Sequence, residues 1–400
     1  MDFEYSPKTK DLQAQLLRFR KERLLPNESV FDAQVAAPPS RWEPVPVLES
    51  LRAEAKEAGL WNLFMKGVGH DLTNVEYAPL AEVMGWNEWM PEVFNCNPPD
   101  TGNMEVLRIC GNEDQKATWL EPLLNGDIRS CFAMSEPGVA SSDATNISTR
   151  AEAVGDEWVI NGRKWWISGP GNPLCKLAIV VCRSHPDQGR HQQHSVVLVP
   201  LDTPGITITR QLTVFGVDHA PRGQSELVFE NVRVPLANTL LGPGRGFEVA
   251  QARLGSGRLH HAMRCVGAAE RALELMCRRG LERTAFGKPL IRLGGNEAEV
   301  ARSRMEIDMV RLLVLRAAWT ADTKGLSAAR SEISQAKVAA ANMACTVLDR
   351  AIQLHGAAGL SQDTPLAALY ARLRTMRIVD GPDEVHLRTV AKEELARYAP

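Results

Sequence analysis

The sequence predicts an α+β multidomain protein. It comprises an N-terminal α-helical domain over 1–127, a middle antiparallel β-barrel or sandwich over 128–240, and a C-terminal four-helix bundle over 241–400. Three observations predict this. A chain of 400 residues is too long for one compact core. The hydrophobic period changes from about 3.6 to 2 near residue 130. "LGPGRG" at 241–246 then closes the β-region, and helical spacing returns behind it.

Each element has its own signal. Leu12, Leu16 and Phe19 recur at helical spacing, as do Leu48, Leu51 and Ala55 in a helix that stops at Gly59. "NEDQ" at 112–115 has an N-cap with its reciprocal partner at Gln115, and Gly126 ends that helix. In "DEWVINGRKWWIS", Asn161-Gly162 lies between two apolar runs, the pattern of a two-residue hairpin turn. "KLAIVVC", "HSVVLVPL", "GITITRQL" and "SELVFENVRV" follow as strands. Leu259, Met263, Val266, Leu273 and Met276 then mark one long amphipathic stripe. "MEIDMVRLLVLRAAW" and "SQAKVAAANMACTVLDRAIQLHG" supply further bundle helices.

Composition excludes several classes. With 44% hydrophobic and 24% charged residues, the chain is neither disordered nor collagen-like. A net charge of -2 supplies no global field toward nucleic acid or anionic lipid, so neither is expected as a partner. No stretch approaches the roughly 20 apolar residues of a membrane span. "MDFEYSPKTK" carries no signal or transit pattern, and "RYAP" is no peroxisomal address. The eight cysteines form no C-x-x-C pair and read as reduced core thiols. The expected location is the cytoplasm, or the mitochondrial matrix in a eukaryote.

The joints between domains carry the chemistry. "CFAMSEPGVASSDATN" at 131–146 is rich in hydroxyls and turn residues; it is either a linker or a loop that offers N–H groups to a flat polar ligand. In "WWIS" at 165–168, adjacent Trp residues on a strand point to opposite faces, so one of them covers something outside the core. Gly255 and Gly257 precede Arg258. Each glycine costs a helix about 1 kcal/mol relative to Ala, which leaves a helix start at Arg258 or room for a substrate beside the backbone. In "RIVDGPDEVH", Asp380 follows Ile378 and Val379 and precedes a Gly-Pro pair; it is either a turn cap or a base at a pocket mouth. His191-x-x-His194 has metal-like spacing but lies in a polar turn without an acidic or Cys partner, and reads as a surface loop. His260-His261 reads as one core and one exposed residue.

Taken together, Ser135-Glu136-Pro137 with Ser142-Asp143, Trp166-Ile167-Ser168, "LERTAFGKPL" at 281–290, "QLHGAAG" at 353–359 and "DGPDEVH" resemble the acyl-CoA dehydrogenase family. There the first loop usually reads T-E-P-x-x-G-S-D, so this chain has one extra residue. The resemblance covers nearly the whole chain, domain order included. It is nearest to a branch in which some animal proteins fuse this domain behind a kinase-like domain.

The resemblance implies FAD as cofactor. Backbone groups at Phe132 and Met134 and the Ser135 hydroxyl would bond the flavin edge, Trp166 would lie against the ring, and Ser168 would reach its N5. Arg283 and Phe286 would grip the FAD diphosphate and adenine of a neighbouring subunit, a guanidinium suiting phosphate through forked bonds. Gln353, Gly356 and Ala357 would complete the adenine site, and Pro382 and Glu384 belong to the same cofactor set. The usual Thr at 285 is Ala here. Such a grip implies a homodimer or homotetramer. Ser142, Arg258 and Gly381 would hold the acyl-CoA substrate.

Some relatives carry the base on the long helix, at the place of Gly257, which has no side chain; Asp380 is then the matched base. The family usually has Glu there, longer by one carbon–carbon bond of about 1.5 Å. The implied reaction is α,β-dehydrogenation to the trans-2-enoyl-CoA. Asp380 takes the α-proton, a hydride goes to flavin N5, and an electron-transfer flavoprotein is the acceptor. An Asp in water, with a pKa of about 3.9, is a weak base for this, and burial would raise it. The backbone N–H of the base residue and a ribityl hydroxyl of FAD would stabilise the enolate. Two other readings are a flavin oxidase of the nitroalkane-oxidase type, which also uses Asp, and a flavin-carrying DNA-associated protein.

Overall fold

A computed structural model describes residues 4–37 and 41–399. The first three residues and Pro400, which belong to "MDFEYSPKTK" and "RYAP", lie outside them. The chain forms two compact units. One holds the chain up to Glu22, Lys66–Pro91 and the chain from Gly255 onward; the other holds Arg23–Met65 and Glu92–Leu254.

The second unit is built on a seven-stranded sheet. Its strands are β1 (Arg129–Ala133), β2 (Arg150–Val154), β3 (Glu157–Ser168), β4 (Cys175–Arg183), β5 (His194–Pro200), β6 (Ile206–Leu212) and β7 (Gln224–Pro235). The order is β1-β4-β2-β3-β7-β6, with β5 also on β4. Because β1 runs parallel to β4, the sheet is mixed, where the sequence suggested a purely antiparallel one. Trp158, Ile160, Ile167, Val180, Leu227, Phe229 and Val232 fill its core, and the Trp158 indole N–H donates to Thr239 Oγ1 at 2.8 Å.

The hairpin turn falls elsewhere than Asn161-Gly162. The chain turns at Gly155, whose φ of 62° suits glycine, and β3 then runs on through both residues. Trp158 and Ile160 stay opposite Val234 and Val232 of β7, so turning at Asn161 would strip the inner face of its partners. The Asn-Gly pair sits at a register shift instead. Asn161 Oδ1 accepts the Asn231 N–H at 2.8 Å, and a Cβ at Gly162 would lie 2.4 Å from Thr149 Oγ1. The capping box at Asn112 and the left-handed Gly126 are as predicted.

The helical unit centres on helix Arg330–His355, which packs against Asn296–Lys324, Leu366–Thr375 and Asp383–Ala396. The Asp322 carboxylate accepts the Asn74 and Val75 N–H groups, each at 2.9 Å. It thereby caps the positive end of helix Asn74–Met84. Helix Gly246–Glu282 runs unbroken through Gly255 and Gly257, so Arg258 is not a helix start. Its predicted stripe of Leu259, Met263, Val266, Leu273 and Met276 is buried throughout.

Close approach to this helix depends on Gly267. A Cβ there would lie 1.8 Å from the Glu82 carbonyl oxygen. Gly267→Ala is therefore expected to lower stability by about 1–3 kcal/mol, through forced separation of packed backbones. Chemical denaturation checks this against Gly189→Ala, where the nearest atom is the Gln192 side chain at 3.6 Å and the loss should be near zero.

Candidate active site

The predicted site residues fall in both units, and each unit is described by itself. In the sheet unit, β1 forms one end of the sheet order, so its outer edge pairs with no strand among the described residues. The strand is held at its start by a buried polar cluster. Arg129 donates to Glu92 Oε1 at 3.2 Å and Asn95 Oδ1 at 2.9 Å. The Ser130 N–H and hydroxyl both donate to Asp100 Oδ1, at 2.8 and 2.6 Å. Burial pushes the Asp100 carboxyl up, against the pull of Arg129 and Ser130. The Arg253 guanidinium lies 4.4 Å from the centre of the Phe132 ring.

Behind β1 the loop is fastened by an ion pair that sequence reasoning passed over. The ammonium of Lys164, which is wholly buried, donates to Glu136 Oε1 at 2.8 Å, to the Met134 carbonyl at 3.0 Å and to the Val181 carbonyl at 2.8 Å. Glu136 also accepts the Ser148 and Thr149 N–H groups and the Ser148 hydroxyl. Burial opposes ionisation of Glu136, yet the Lys164 charge and these donors hold its carboxyl down at about 2. The Trp165 N–H donates to the Ser135 carbonyl at 3.0 Å, which ties "SEP" to "WWIS". The available signal was Lys164 itself, a lone cation at an inward position of an alternating strand.

Trp165 and Trp166 do not simply alternate. The β3 register shifts between Lys164 and Ile167, and Trp166 takes a φ of 54°. Such a bulge re-aims a side chain, and the Trp166 indole stands out, 43% exposed. Ser168 lies opposite Gln224, whose buried Oε1 has no hydrogen-bond partner among the described residues. Ser142 is exposed. His194 is buried at the start of β5, bonded to the Ile147 carbonyl at 3.0 Å, so it does not belong to a surface loop. Among the described residues no His/Cys/Asp/Glu group could hold a metal ion.

In the helical unit, Asp380 sits in a turn with a φ of 53°, followed by Gly381 at 103°. It is not a helix cap, because helix Asp383–Ala396 is capped at Pro382 without a side-chain bond. Nor does an apolar run bury the acid, since Ile378 is 60% exposed. The turn is held from three sides. Arg258 Nε donates to the Asp380 carbonyl at 2.8 Å, His386 Nε2 lies 3.2 Å from the same oxygen, and Lys337 donates to the Gly381 carbonyl at 2.5 Å. A carbonyl only accepts, so His386 carries its proton on Nε2 and takes the Ser334 hydroxyl on Nδ1 at 3.2 Å. Burial, with Arg258 and Lys337 nearby, drops the His386 pKa to about 4 and keeps it neutral. A Cβ at Gly381 would lie 2.9 Å from His386 Nε2.

The carboxylate of Asp380 lies against the long helix. Its Oδ2 is 3.5 Å from where a Cβ at Gly257 would be, and 3.3 Å from His261 Nε2. His260 and His261 are both buried, where the sequence suggested one of each kind. The structure thus brings Asp380, Gly381 and Arg258 together.

It does not bring Arg283 and Phe286 to them. Phe286 and Gly287 form the left-handed turn of a small hairpin, Thr284–Ala285 with Lys288–Pro289, and Phe286 is 95% exposed. Gln353, Gly356 and Ala357 lie exposed at the end of helix Arg330–His355, with Gly356 at a φ of 63°. Pro382 and exposed Glu384 start the last helix.

Comparison with known proteins gives two family-model matches: the acyl-CoA dehydrogenase middle domain over 131–232 and the acyl-CoA dehydrogenase C-terminal domain over 244–395. A probable acyl-CoA dehydrogenase, FadE2, of Mycobacterium tuberculosis is 53% identical over 99% of this chain and 98% of its own length. Acyl-CoA dehydrogenase family member 10 of Mus musculus is 52% identical over 98% of this chain, which spans only 37% of that protein. A solved candidate acyl-CoA dehydrogenase of Mycobacterium abscessus superposes with a TM-score of 0.96 at 52% identity, covering 99% of this chain and 100% of its own. Butyryl-CoA dehydrogenase of Megasphaera elsdenii superposes at 0.83 with 25% identity, covering 99% and 100%.

The Glu136–Lys164 pair makes a pH-dependent prediction. Glu136 has a folded pKa near 2 against an ordinary 4.5. Its contribution is therefore complete above about pH 4.5 and fades as pH falls through 2. Glu136→Gln leaves the Lys164 ammonium buried without its counter-charge. We expect a loss of about 3–5 kcal/mol at pH 7, smaller at pH 3, read from urea unfolding at both values.

Proposed function

The chain belongs to the acyl-CoA dehydrogenase family, and from that premise we propose that Asp380 is the base that removes the α-proton of an acyl-CoA thioester, so that loss of a β-hydride gives the trans-2-enoyl-CoA. FAD is the cofactor and, when bound, supplies the acceptor for the hydride. The observation that carries the reading is the carboxylate of Asp380, held by its pinned turn against a helix position that lacks a side chain. Gly257 leaves the space in which a second acid on that helix would compete.

The residues present fit a flat, polar-edged cofactor. The re-aimed Trp166 indole offers an apolar face, the outer edge of β1 pairs with no strand among the described residues, and the unpartnered Gln224 Oε1 lies beside Ser168. Phe132, Met134, Ser135, Trp166 and Ser168 would hold it from the sheet unit. The exposure of Phe286 on a projecting hairpin suits a side chain that acts on another copy. Arg283 and Phe286, with Gln353, Gly356, Ala357, Pro382 and Glu384, would then grip the dinucleotide across subunits of a homodimer or homotetramer.

In this reading Asp380 must be ionised and close to the α-carbon. The left-handed turn leaves its carboxylate 3.5 Å from the Cβ position that Gly257 lacks, which suits an acid shorter than Glu. Arg258 and His386 keep the turn from relaxing, and Gly381 beside the acid would contribute to the thioester contacts. As the α-proton leaves, enolate charge grows on the thioester oxygen and needs N–H donors aimed at it. The electrons pass on to an electron-transfer flavoprotein; oxygen uptake without an added acceptor would assign an oxidase instead.

Asp380→Asn is expected to bind FAD normally, while its anaerobic bleaching by acyl-CoA slows by about 10²–10⁴-fold. Stopped-flow absorbance across a panel of CoA thioesters measures this, and bleaching at the unaltered rate would end the assignment. Phe286→Ala should keep its helical content by circular dichroism but purify with a lower ratio of flavin to protein.

A further inference from the structure

We propose that His261, with its tautomer set by Arg264, is a positioning residue that orients the Asp380 carboxylate for proton removal. The inference rests on the assignment of Asp380 as base. It starts from three residues on one face of the long helix: Gly257, His261 one turn on, and Arg264 three residues further. Oδ2 of Asp380 lies 3.5 Å from the Cβ that Gly257 lacks, and 3.3 Å from His261 Nε2. The glycine lets a short carboxylate reach the helix, and the histidine meets it there.

The proton on His261 can be placed by elimination. Arg264 Nη2 lies 3.2 Å from His261 Nδ1. A guanidinium has donors and no acceptor, so Nδ1 must accept and the ring proton sits on Nε2, facing Asp380. His261 is buried, and the pull of burial, opposed by the Asp380 bond and aided by Arg264, takes its pKa to about 4. At neutral pH it is thus an uncharged donor. An imidazolium there would pair with the carboxylate as an ion and blunt its basicity. A neutral N–H occupies Oδ2 and orients the group while leaving it a base. The proton taken from the substrate then goes to Oδ1, with Oδ2 still accepting from His261.

The charged and titratable groups around this pair are fixed by other contacts. Arg258 and His386 bond the Asp380 carbonyl, and Lys337 bonds the Gly381 carbonyl. Arg372 contributes a further positive field at His261, and His260 beside it is neutral, its pKa lowered to about 3 by burial and Arg264. An inert core histidine has no need of a donor on one nitrogen and a carboxylate on the other.

The test compares His261→Met, which fills similar space without a donor, with His261→Gln, which keeps an N–H. A carboxylate that loses a donor holds its proton to higher pH. In His261→Met, flavin reduction by acyl-CoA should slow by about 10–100-fold, and the acid limb of its pH profile should move upward. Substrate affinity should stay within about twofold, because no binding contact is removed. His261→Gln should recover most of the rate and the limb. Equal rates and an unmoved limb in both variants would overturn the proposal.

A second readout needs no turnover. A ¹⁵N-histidine spectrum of the full-length holoenzyme, assigned by the signal missing from His261→Gln, should show the neutral Nε2–H form of His261 between pH 6 and 8. The Nδ1–H form, or a charged ring, would overturn the proposal even with normal bleaching. Unaltered bleaching in Asp380→Asn would instead remove the assignment of the base, whatever the tautomer.

Discussion

The structure turns on one short stretch of backbone, the Asp380-Gly381 turn. A left-handed Asp followed by a glycine at a φ of 103° would relax without support. It is held by Arg258 and His386 on the first carbonyl and by Lys337 on the second. Arg258 and Lys337 come from helices far along the chain, and His386 from the helix that follows the turn. Moving any of these helices moves the carbonyl, and with it the carboxylate. The bundle core of small and aliphatic side chains, Ala340, Ala344, Leu348 and Ala351 among them, therefore has a chemical consequence: it sets where an acid points.

The sheet unit solves a similar problem by different means. Its loop after β1 is short of regular structure, and Lys164 supplies what the ladder does not, bonding two carbonyls and a carboxylate from a wholly buried position. A buried ion pair of this kind adds less to stability than its geometry suggests, because both charges lose water. What it provides is register: Met134, Ser135 and Glu136 have one place to be relative to β3. The bulge at Trp166 uses that same strand, so the residues that fasten the loop and the residue that stands out are three positions apart or fewer.

The relatives put this arrangement in context. FadE2 of Mycobacterium tuberculosis matches nearly end to end, whereas family member 10 of the mouse extends far beyond the matched region. The same helical and β units thus occur both as most of a chain and as part of a longer one. Arg258, Lys337 and His386 all belong to the compact unit that holds Asp380, so the support of the turn is internal to it.

Periodicity and short motifs by themselves determined the order of helical, strand and helical regions, the capped helix at Asn112 and the buried stripe from Leu259 to Met276. These are local properties: helical spacing, caps and a Gly-Pro break act within a few residues and leave a mark in the string. The turn at Gly155 in place of Asn161-Gly162, the parallel pairing of β1 with β4 and the burial of both His260 and His261 depended on partners far along the chain. So did the roles of Lys164, Lys337 and His386. A side chain becomes a donor to a particular carbonyl only when packing brings the two within about 3 Å, and no spacing in the sequence encodes that distance. Sequence therefore determined which groups were available, and the tertiary packing decided which of them meet.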